Sequence, residues 1–200
     1  MRIAHFPNAR HPAARPSFFT GPKCSVSIPV HDALLLDALQ QASLAFSVRS
    51  ISYRTGPQLE CPRVSLAGPI LHREDGMFLL RVSETRPLRG SDESARLAHV
   101  IECHGLRLLE RDGPDVRREP LFSNARAVWS HAGRPVSLMD RLKIGLALEE
   151  DGPQPIAELE ERVRPTCDLV AALCALACEN LLRLNIEDAH LGPRTIVLGS

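Results

Sequence analysis

The chain has 200 residues, of which 44% are hydrophobic, and this apolar content is enough to bury a core. Its 24 basic and 24 acidic side chains cancel, which excludes the bulk positive field of a nucleic-acid coat protein, so any DNA contact must be local. No stretch approaches the ~18 apolar residues that a membrane span needs, and the N-terminus is too charged for a secretion signal. We therefore expect a cytoplasmic protein without membrane contact.

The first segments combine an irregular arm with a helix and a strand. Residues 1–24 are rich in Pro, Arg and His and lack hydrophobic periodicity, which predicts an irregular arm. Apolar residues then recur at helical spacing over residues 31–46, with Asp32 placed as the N-cap. An alternating segment at residues 51–57 follows, ends in Gly-Pro, and predicts a strand.

The next segments predict a hairpin, a helix and a further strand. Residues 64–71 and 77–82 are apolar runs on either side of Glu74-Asp75-Gly76, which is typical of two strands joined by a tight turn. A second helix is predicted over residues 91–103 and another strand around residues 106–109. The order helix, three strands, helix, strand indicates an α/β fold.

A boundary near Gly133 predicts two units, at residues 25–133 and 134–200. Ser137 and Asp140 resemble a capping box at the start of a helix, and Pro155 suits the first turn of a shorter one. A third helix is predicted from Asp168 through LVAALCALACENLL, followed by strands in RLNIED and TIVL. Three helices and a β-hairpin indicate a winged helix.

Four segments occur in an order that points to a known family. The strand at residues 51–57 is followed by residues 66–76, which end in an Asp-Gly turn, and then by Glu84-Thr85-Arg86-Pro87. The stretch REPLFSNARAVW comes later, at residues 118–129. In this order the segments resemble the TnsA-like endonucleases, which cut transposon ends as one half of a two-subunit transposase. The last stretch is similar to the segment that leaves the family's nuclease domain.

The resemblance implies a restriction-endonuclease-like mixed sheet flanked by helices, followed by a small winged-helix domain. It places Asp37 at the family's helix Glu position and Gly68 at its catalytic Asp position. Glu84 and Arg86 match the next motif, with arginine in place of lysine. The resemblance therefore implies Asp37, Glu84 and Arg86 as catalytic candidates, and Asp37 and Glu84 as ligands of Mg²⁺.

The motif as it stands predicts lost or impaired cleavage. Mg²⁺ at such a site needs carboxylate oxygens on neighbouring strands, and it generates the attacking hydroxide. Gly68 supplies no side-chain oxygen, and an arginine at position 86 cannot exchange protons as a lysine can. An alternative register puts Arg81 and Ser83 at the motif and leaves no acidic ligand.

The resemblance also implies macromolecular partners: transposon-end DNA, a transposase subunit and an AAA+ ATPase regulator. Candidate phosphate contacts are the basic residues around the exit from the first unit, namely Arg117, Arg118, Arg126, Arg134 and Lys143. Residues 168–178 carry no cation, unlike a helix that reads the major groove. We expect the apolar side chains of this helix to be buried or in a protein interface: Leu169, Val170, Leu173, Leu176 and Leu181.

Three hypotheses follow. The first is a TnsA-like subunit that binds transposon DNA and its protein partners while cleavage is lost or impaired. The second is an active metal-dependent endonuclease whose site has moved onto Asp37, Glu74 or Asp75, and Glu84. The third is a winged-helix transcriptional regulator with an unrelated α/β domain. A cleavage assay separates the first two, and the cation-free third helix disfavours the third.

Overall fold

The computed structural model describes residues 17–60 and 63–199, which form eleven strands and seven helices. In chain order the elements are β1 (Ser17–Phe19), β2 (Ile28–Val30), α1 (Ala33–Leu44), β3 (Val48–Arg54), β4 (Gln58–Glu60), β5 (Arg63–Ser65), β6 (Gly68–Arg73), β7 (Gly76–Ser83), α2 (Ser91–Cys103), β8 (Arg107–Asp112), α3 (Gly113–Val116), α4 (Leu121–Trp129), α5 (Leu138–Asp151), β9 (Gln154–Pro155), α6 (Ile156–Val163), α7 (Leu169–Cys178), β10 (Leu182–Leu184) and β11 (Ile196–Gly199).

The central sheet has four strands in the order β3-β6-β7-β8. β3, β6 and β7 are antiparallel neighbours, and β8 returns parallel to β7 after the crossover through α2. The predicted hairpin around the Asp75-Gly76 turn is thus confirmed, but its first strand, predicted over residues 64–71, spans Gly68–Arg73, and Arg63–Ser65 pair with β4 in a separate sheet. The expected mixed α/β sheet flanked by helices is also confirmed, because α1 and α2 pack on it.

Each face of this sheet carries its own hydrophobic core. Alternate side chains such as Ile51 and Leu80 point to the face covered by α1, where they pack with Leu39. Their sequence neighbours point to the other face, where Leu79 packs against Ile101 of α2. A residue's place in this alternation therefore decides which helix it meets.

A second unit contains α5, α6 and α7 with a three-stranded antiparallel sheet in the order β10-β11-β9. Its core also includes Ala125 and Val128 of α4, so the core begins before the predicted boundary at residue 134. α4 contacts the first unit as well, since Trp129 Nε1 donates to the Gln40 carbonyl at 3.2 Å. Helix α4, in the stretch REPLFSNARAVW, thus joins the two cores.

The third helix of the second unit is buried, as expected from its apolar sequence. Leu169, Leu173 and Leu176 are at most 3% exposed, but Val170 is 36% and Leu181 is 52% exposed, so burial does not hold for these two. The helix was predicted to continue through Leu182 and instead ends at Cys178. Asn180 takes a left-handed backbone conformation at φ 59°, which turns the chain into β10.

Only part of the predicted N-terminal arm falls among the described residues. Residues 1–16 lie outside them, whereas residues 17–19 form a strand, β1, that pairs antiparallel with β2. The irregular arm predicted over residues 1–24 is therefore wrong at this strand. Across residues 17–60 and 63–199, no helix has the length and apolar character to cross a membrane.

Candidate functional site

Glu84 and Arg117 form a two-point ion pair at the end of β7. Arg117 Nη1 donates to Glu84 Oε2 and Nη2 donates to Oε1, both at 2.8 Å. Glu84 directly follows the strand, and Arg117 is the C-cap residue of α3. The hydrogen bonds from Arg117 hold the pKa of Glu84 below its ordinary value, because they stabilise the charged carboxylate.

Gly113 makes room for this ion pair. A Cβ at this position would lie 2.8 Å from Arg117 Nη1 and 2.9 Å from Glu84 Oε2, closer than real Cβ atoms approach such groups. The Gly113 N–H also donates to the Glu84 carbonyl at 3.2 Å. The start of α3 is therefore built closely against Glu84.

Asp37 approaches the same cluster from α1. Its carboxylate lies 3.8 Å from Arg126 Nε, and its side chain is 16% exposed. Burial raises the pKa of Asp37 above its ordinary value, while the positive charges of Arg126 and Arg117 oppose the rise. Asp37 in turn contributes to raising the pKa of Arg117. Asp37 and Glu84 thus both lie near Arg117, and each has an arginine as its partner.

Arg86 has different partners. Its guanidinium pairs with the carboxylate of Asp115 and lies 3.6 Å from that of Asp112. The hydrogen bond from the Asp112 N–H, and then the positive charge of Arg86, lower the pKa of Asp115. The Asp115 side chain also forms half of the capping box at the start of α3. Arg86 is therefore held by the carboxylates of α3, and Glu84 by Arg117.

Gly68 faces away from Glu84. A Cβ on Gly68 would lie 3.3 Å from Leu79 Cδ1 and 3.7 Å from Arg81 Nη1, on the face of the sheet that α2 covers. Val82, two residues before Glu84, packs into the core under α1 instead. An aspartate at position 68 would meet Arg81, the residue that the alternative register puts at the motif.

Glu74 and Asp75 lie at the other end of β7 from Glu84. The eight residues of β7 span roughly 26 Å at the usual rise of a strand. At that turn Glu74 pairs with Arg49 at 2.9 Å, and Asp75 pairs with Arg73 at 3.0 Å. The rearranged-site hypothesis requires Glu74 or Asp75 to lie close to Glu84. The structure instead places both carboxylates at the opposite end of β7.

The Glu84 carboxylate, paired as it is with Arg117, does not fit Mg²⁺. That ion requires near-octahedral oxygen ligands, whereas both oxygens of Glu84 accept hydrogen bonds from Arg117. Within residues 17–60 and 63–199, no group of three or more His, Cys, Asp or Glu side chains is arranged to hold a metal ion. The cluster therefore provides ion pairing between arginines and carboxylates.

Restoring the family motif at Gly68 is expected to cost stability without creating a metal site. Gly68 has φ +155°, a conformation that strains other residues by about 1–3 kcal/mol. Gly68→Asp, alone or with Arg86→Lys, should therefore lower the urea midpoint and leave Mn²⁺ binding unchanged in calorimetry. Gly68→Ala is the matched control for backbone strain. Tighter Mn²⁺ binding by Gly68→Asp would show that this position does face a metal site.

The candidate DNA-binding residues do not all lie together. Arg117 and Arg126 share the neighbourhood of Asp37, and Arg126 also stacks over the Phe122 ring at 5.4 Å. Arg118 is exposed just after α3. Arg134 is exposed and lies near Cys167 of the second unit, where burial raises the pKa of the thiol and the charge of Arg134 opposes the rise. Lys143 is half-buried on α5. Arg118 and Arg126 are therefore the exposed candidates nearest to the ion-pair cluster.

Sequence reasoning missed the short helix α3, which positions Arg117. Asp112 and Asp115 form a reciprocal capping box around Gly113-Pro114. This spacing was a readable signal, since an acidic residue three positions after Asp and an intervening proline favour a helix start. The pairing of Arg117 with a residue 33 positions away carried no local signal.

No protein-family model matches this chain, and no curated protein is significantly similar to it in sequence.

Proposed function

We propose that this chain is a TnsA-like transposition subunit that acts in the cytoplasm, binds transposon-end DNA and protein partners, and has lost DNA cleavage. The proposal rests on one observation. The elements α1, β3, β6, β7, α2 and β8 follow in this chain order, and the four strands among them form one mixed sheet in which β7 and β8 are parallel. This order supports the restriction-endonuclease-like fold that the sequence resemblance implies.

The second unit supports the same proposal. Its elements follow the order α5, β9, α6, α7, β10, β11, with the three strands in one antiparallel sheet. We interpret this unit as the winged helix that follows the nuclease domain in the TnsA-like family.

Loss of cleavage is supported by the ion pairs around Glu84. A nuclease carboxylate has to present free oxygens to a metal and to scissile phosphate. Here Arg117 occupies both oxygens of Glu84, and Arg126 lies beside Asp37. An arginine thus supplies the positive charge that the nuclease family takes from a metal.

A protein partner is supported by an apolar stripe on α5. Leu138, Leu142 and Leu146 recur every four residues on one face and are 71%, 52% and 55% exposed, and Met139 beside them is 62% exposed. Side chains of this size grouped on one helix face are typical of a protein interface. We propose that the transposase or the ATPase regulator contacts this stripe.

Helix α7 does not favour the alternative of a regulator that reads the major groove with its third helix. Its residues from Ala171 to Cys178 are buried, and it packs against α4, α6 and β10. A recognition helix has to expose polar side chains to base edges. Contact with DNA is therefore proposed for the arginines that precede α4, Arg117 and Arg118, and for Arg126 in its last turn.

DNA binding is expected to depend on Arg118 as a phosphate contact. Arg118→Ala should weaken binding to all duplex sequences alike and reduce the slope of log affinity against log salt by about 1. Fluorescence anisotropy of a labelled duplex, measured over a series of salt concentrations, tests this. Arg162→Ala is the matched control, because Arg162 is paired with Glu150 and Asp151 on the second unit. Equal effects of both substitutions would contradict the proposed DNA surface.

A further inference from the structure

A cavity of about 240 Å³ lies between the two hydrophobic cores. Its walls include Leu80 and Leu109 of the central sheet and Ala42 of α1. Leu121 of α4 and Leu184 of β10 line it from the other core. Ligand sites in proteins are mostly apolar and begin at roughly 300 Å³, so this cavity lies just below that range. Its size suits a compact molecule with an apolar body.

Arg111 supplies a positive charge on the wall of this cavity. Its Nη1 donates to Gln41 Oε1 at 2.9 Å, and its Nη2 donates to the Asp115 carbonyl at 2.7 Å. Both acceptors are neutral. Burial lowers the pKa of Arg111 below its ordinary value, since desolvation disfavours the charged form. Among the residues that the structure describes, no carboxylate contacts this half-buried guanidinium, and such a group is costly to place on an apolar wall.

The other charged residues at the cavity are paired with an opposite charge or exposed to solvent, so Arg111 is the candidate to bind a ligand's charge. Arg73 also lines it, but its Nε lies 3.0 Å from the carboxylate of Asp75. Glu187 lines it too and is exposed, so its charge is in contact with solvent. The Asp115 carboxylate contacts Arg86, and its negative charge acts on Arg111 without a contact, which opposes the effect of burial on the pKa of Arg111.

Gln41 fixes the position of this guanidinium. The Gln41 side chain is 3% exposed, and its Nε2 donates to the Val116 carbonyl at 2.6 Å. Its Oε1 is therefore turned toward Arg111. Two of the five guanidinium N–H donors are used in these contacts, which leaves donors for a ligand.

We propose that this cavity binds a small monocarboxylate with an apolar body, whose carboxylate pairs with Arg111. A guanidinium and a carboxylate form short, charge-assisted hydrogen bonds, and the hydrocarbon or aromatic body replaces solvent on the apolar walls. Because both cores contribute walls, the bound molecule stabilises their packing and raises the melting temperature. This site is separate from the Glu84–Arg117 cluster and does not depend on the proposed DNA binding.

Octanoate and 1-octanol are suitable probes, since they share a chain length and differ in the charge of the head group. Isothermal titration of the full chain should show octanoate binding at least about tenfold more tightly than 1-octanol, as expected for a charged hydrogen bond. Arg111→Gln should remove this difference by weakening octanoate alone. Arg49→Gln, which alters an exposed arginine paired with Glu74, should leave both affinities unchanged.

Ala42→Leu tests the cavity independently, including the case in which Arg111→Gln does not fold. The added side chain fills the cavity from α1, so it should abolish binding of octanoate and 1-octanol together. Equal affinity of the unmodified protein for the two probes would overturn the carboxylate site. Absence of octanoate binding, or octanoate binding that persists in Ala42→Leu, would overturn the cavity as the site.

Discussion

Leu173→Ala is expected to lower the free energy of unfolding by about 3–5 kcal/mol, the range for removing a large side chain from a packed core. Leu173 is fully buried in α7, among residues of α4, α5 and β11. Urea denaturation followed by circular dichroism measures the change. The size of the effect follows from the cavity that alanine leaves, because neighbouring helices close it only in part.

Val170→Ala is the matched control on the same helix. Val170 is 36% exposed, so its truncation should change the unfolding free energy by less than about 1 kcal/mol. A small effect of Leu173→Ala, together with a large loss of DNA affinity, would contradict a buried α7. That outcome would favour a helix that contacts DNA directly.

Asn124→Ala is expected to destabilise the chain by about 3 kcal/mol through lost buried hydrogen bonds. Asn124 is 3% exposed, and its Nδ2 donates to the carbonyls of Ile186 and Ala189 at 2.8 and 2.7 Å. Its Oδ1 accepts from the Leu191 N–H at 2.9 Å. Alanine would leave three backbone groups of the β10–β11 connection without these partners.

Thermal and urea denaturation of Asn124→Ala measure this loss. Ala127→Gln on the exposed side of α4 is the control and should be close to neutral. A neutral Asn124→Ala variant would show that the connection holds itself in place.

Local patterns predicted the elements whose signals lie within a few residues. The Asp75-Gly76 turn between two apolar runs predicted the β6–β7 hairpin, and Ser137 with Asp140 predicted the start of α5. Asp32 caps α1 by accepting a hydrogen bond from the Leu35 N–H at 2.7 Å, as its position before the apolar run indicated. Turn and cap chemistry is local, so it can be read from sequence.

The candidate site could be predicted only in part. Asp37 was predicted on a helix and Glu84 at a strand end, and in the structure both lie near Arg117. The face of the sheet toward which position 68 points depends on strand register, because a shift of one residue moves a side chain to the opposite face. Motif spacing does not contain that information.

Long-range features lay beyond sequence reasoning for the same reason. The pairing of β1 with β2, the role of α4 in joining two cores, and the contact of Arg111 with Gln41 each join segments by tertiary packing. The contact between Arg111 and Gln41 spans 70 positions. Neither residue has a local pattern that singles out the other.

The most direct test of the central claim is the fate of duplex DNA incubated with Mg²⁺ or Mn²⁺ at protein concentrations that bind it. Unmodified protein and Glu84→Ala should both leave the strands intact on a denaturing gel, because Arg117 holds the carboxylate that a metal would need. Metal-dependent cleavage by the unmodified protein, abolished in Glu84→Ala, would contradict the account and identify an active endonuclease.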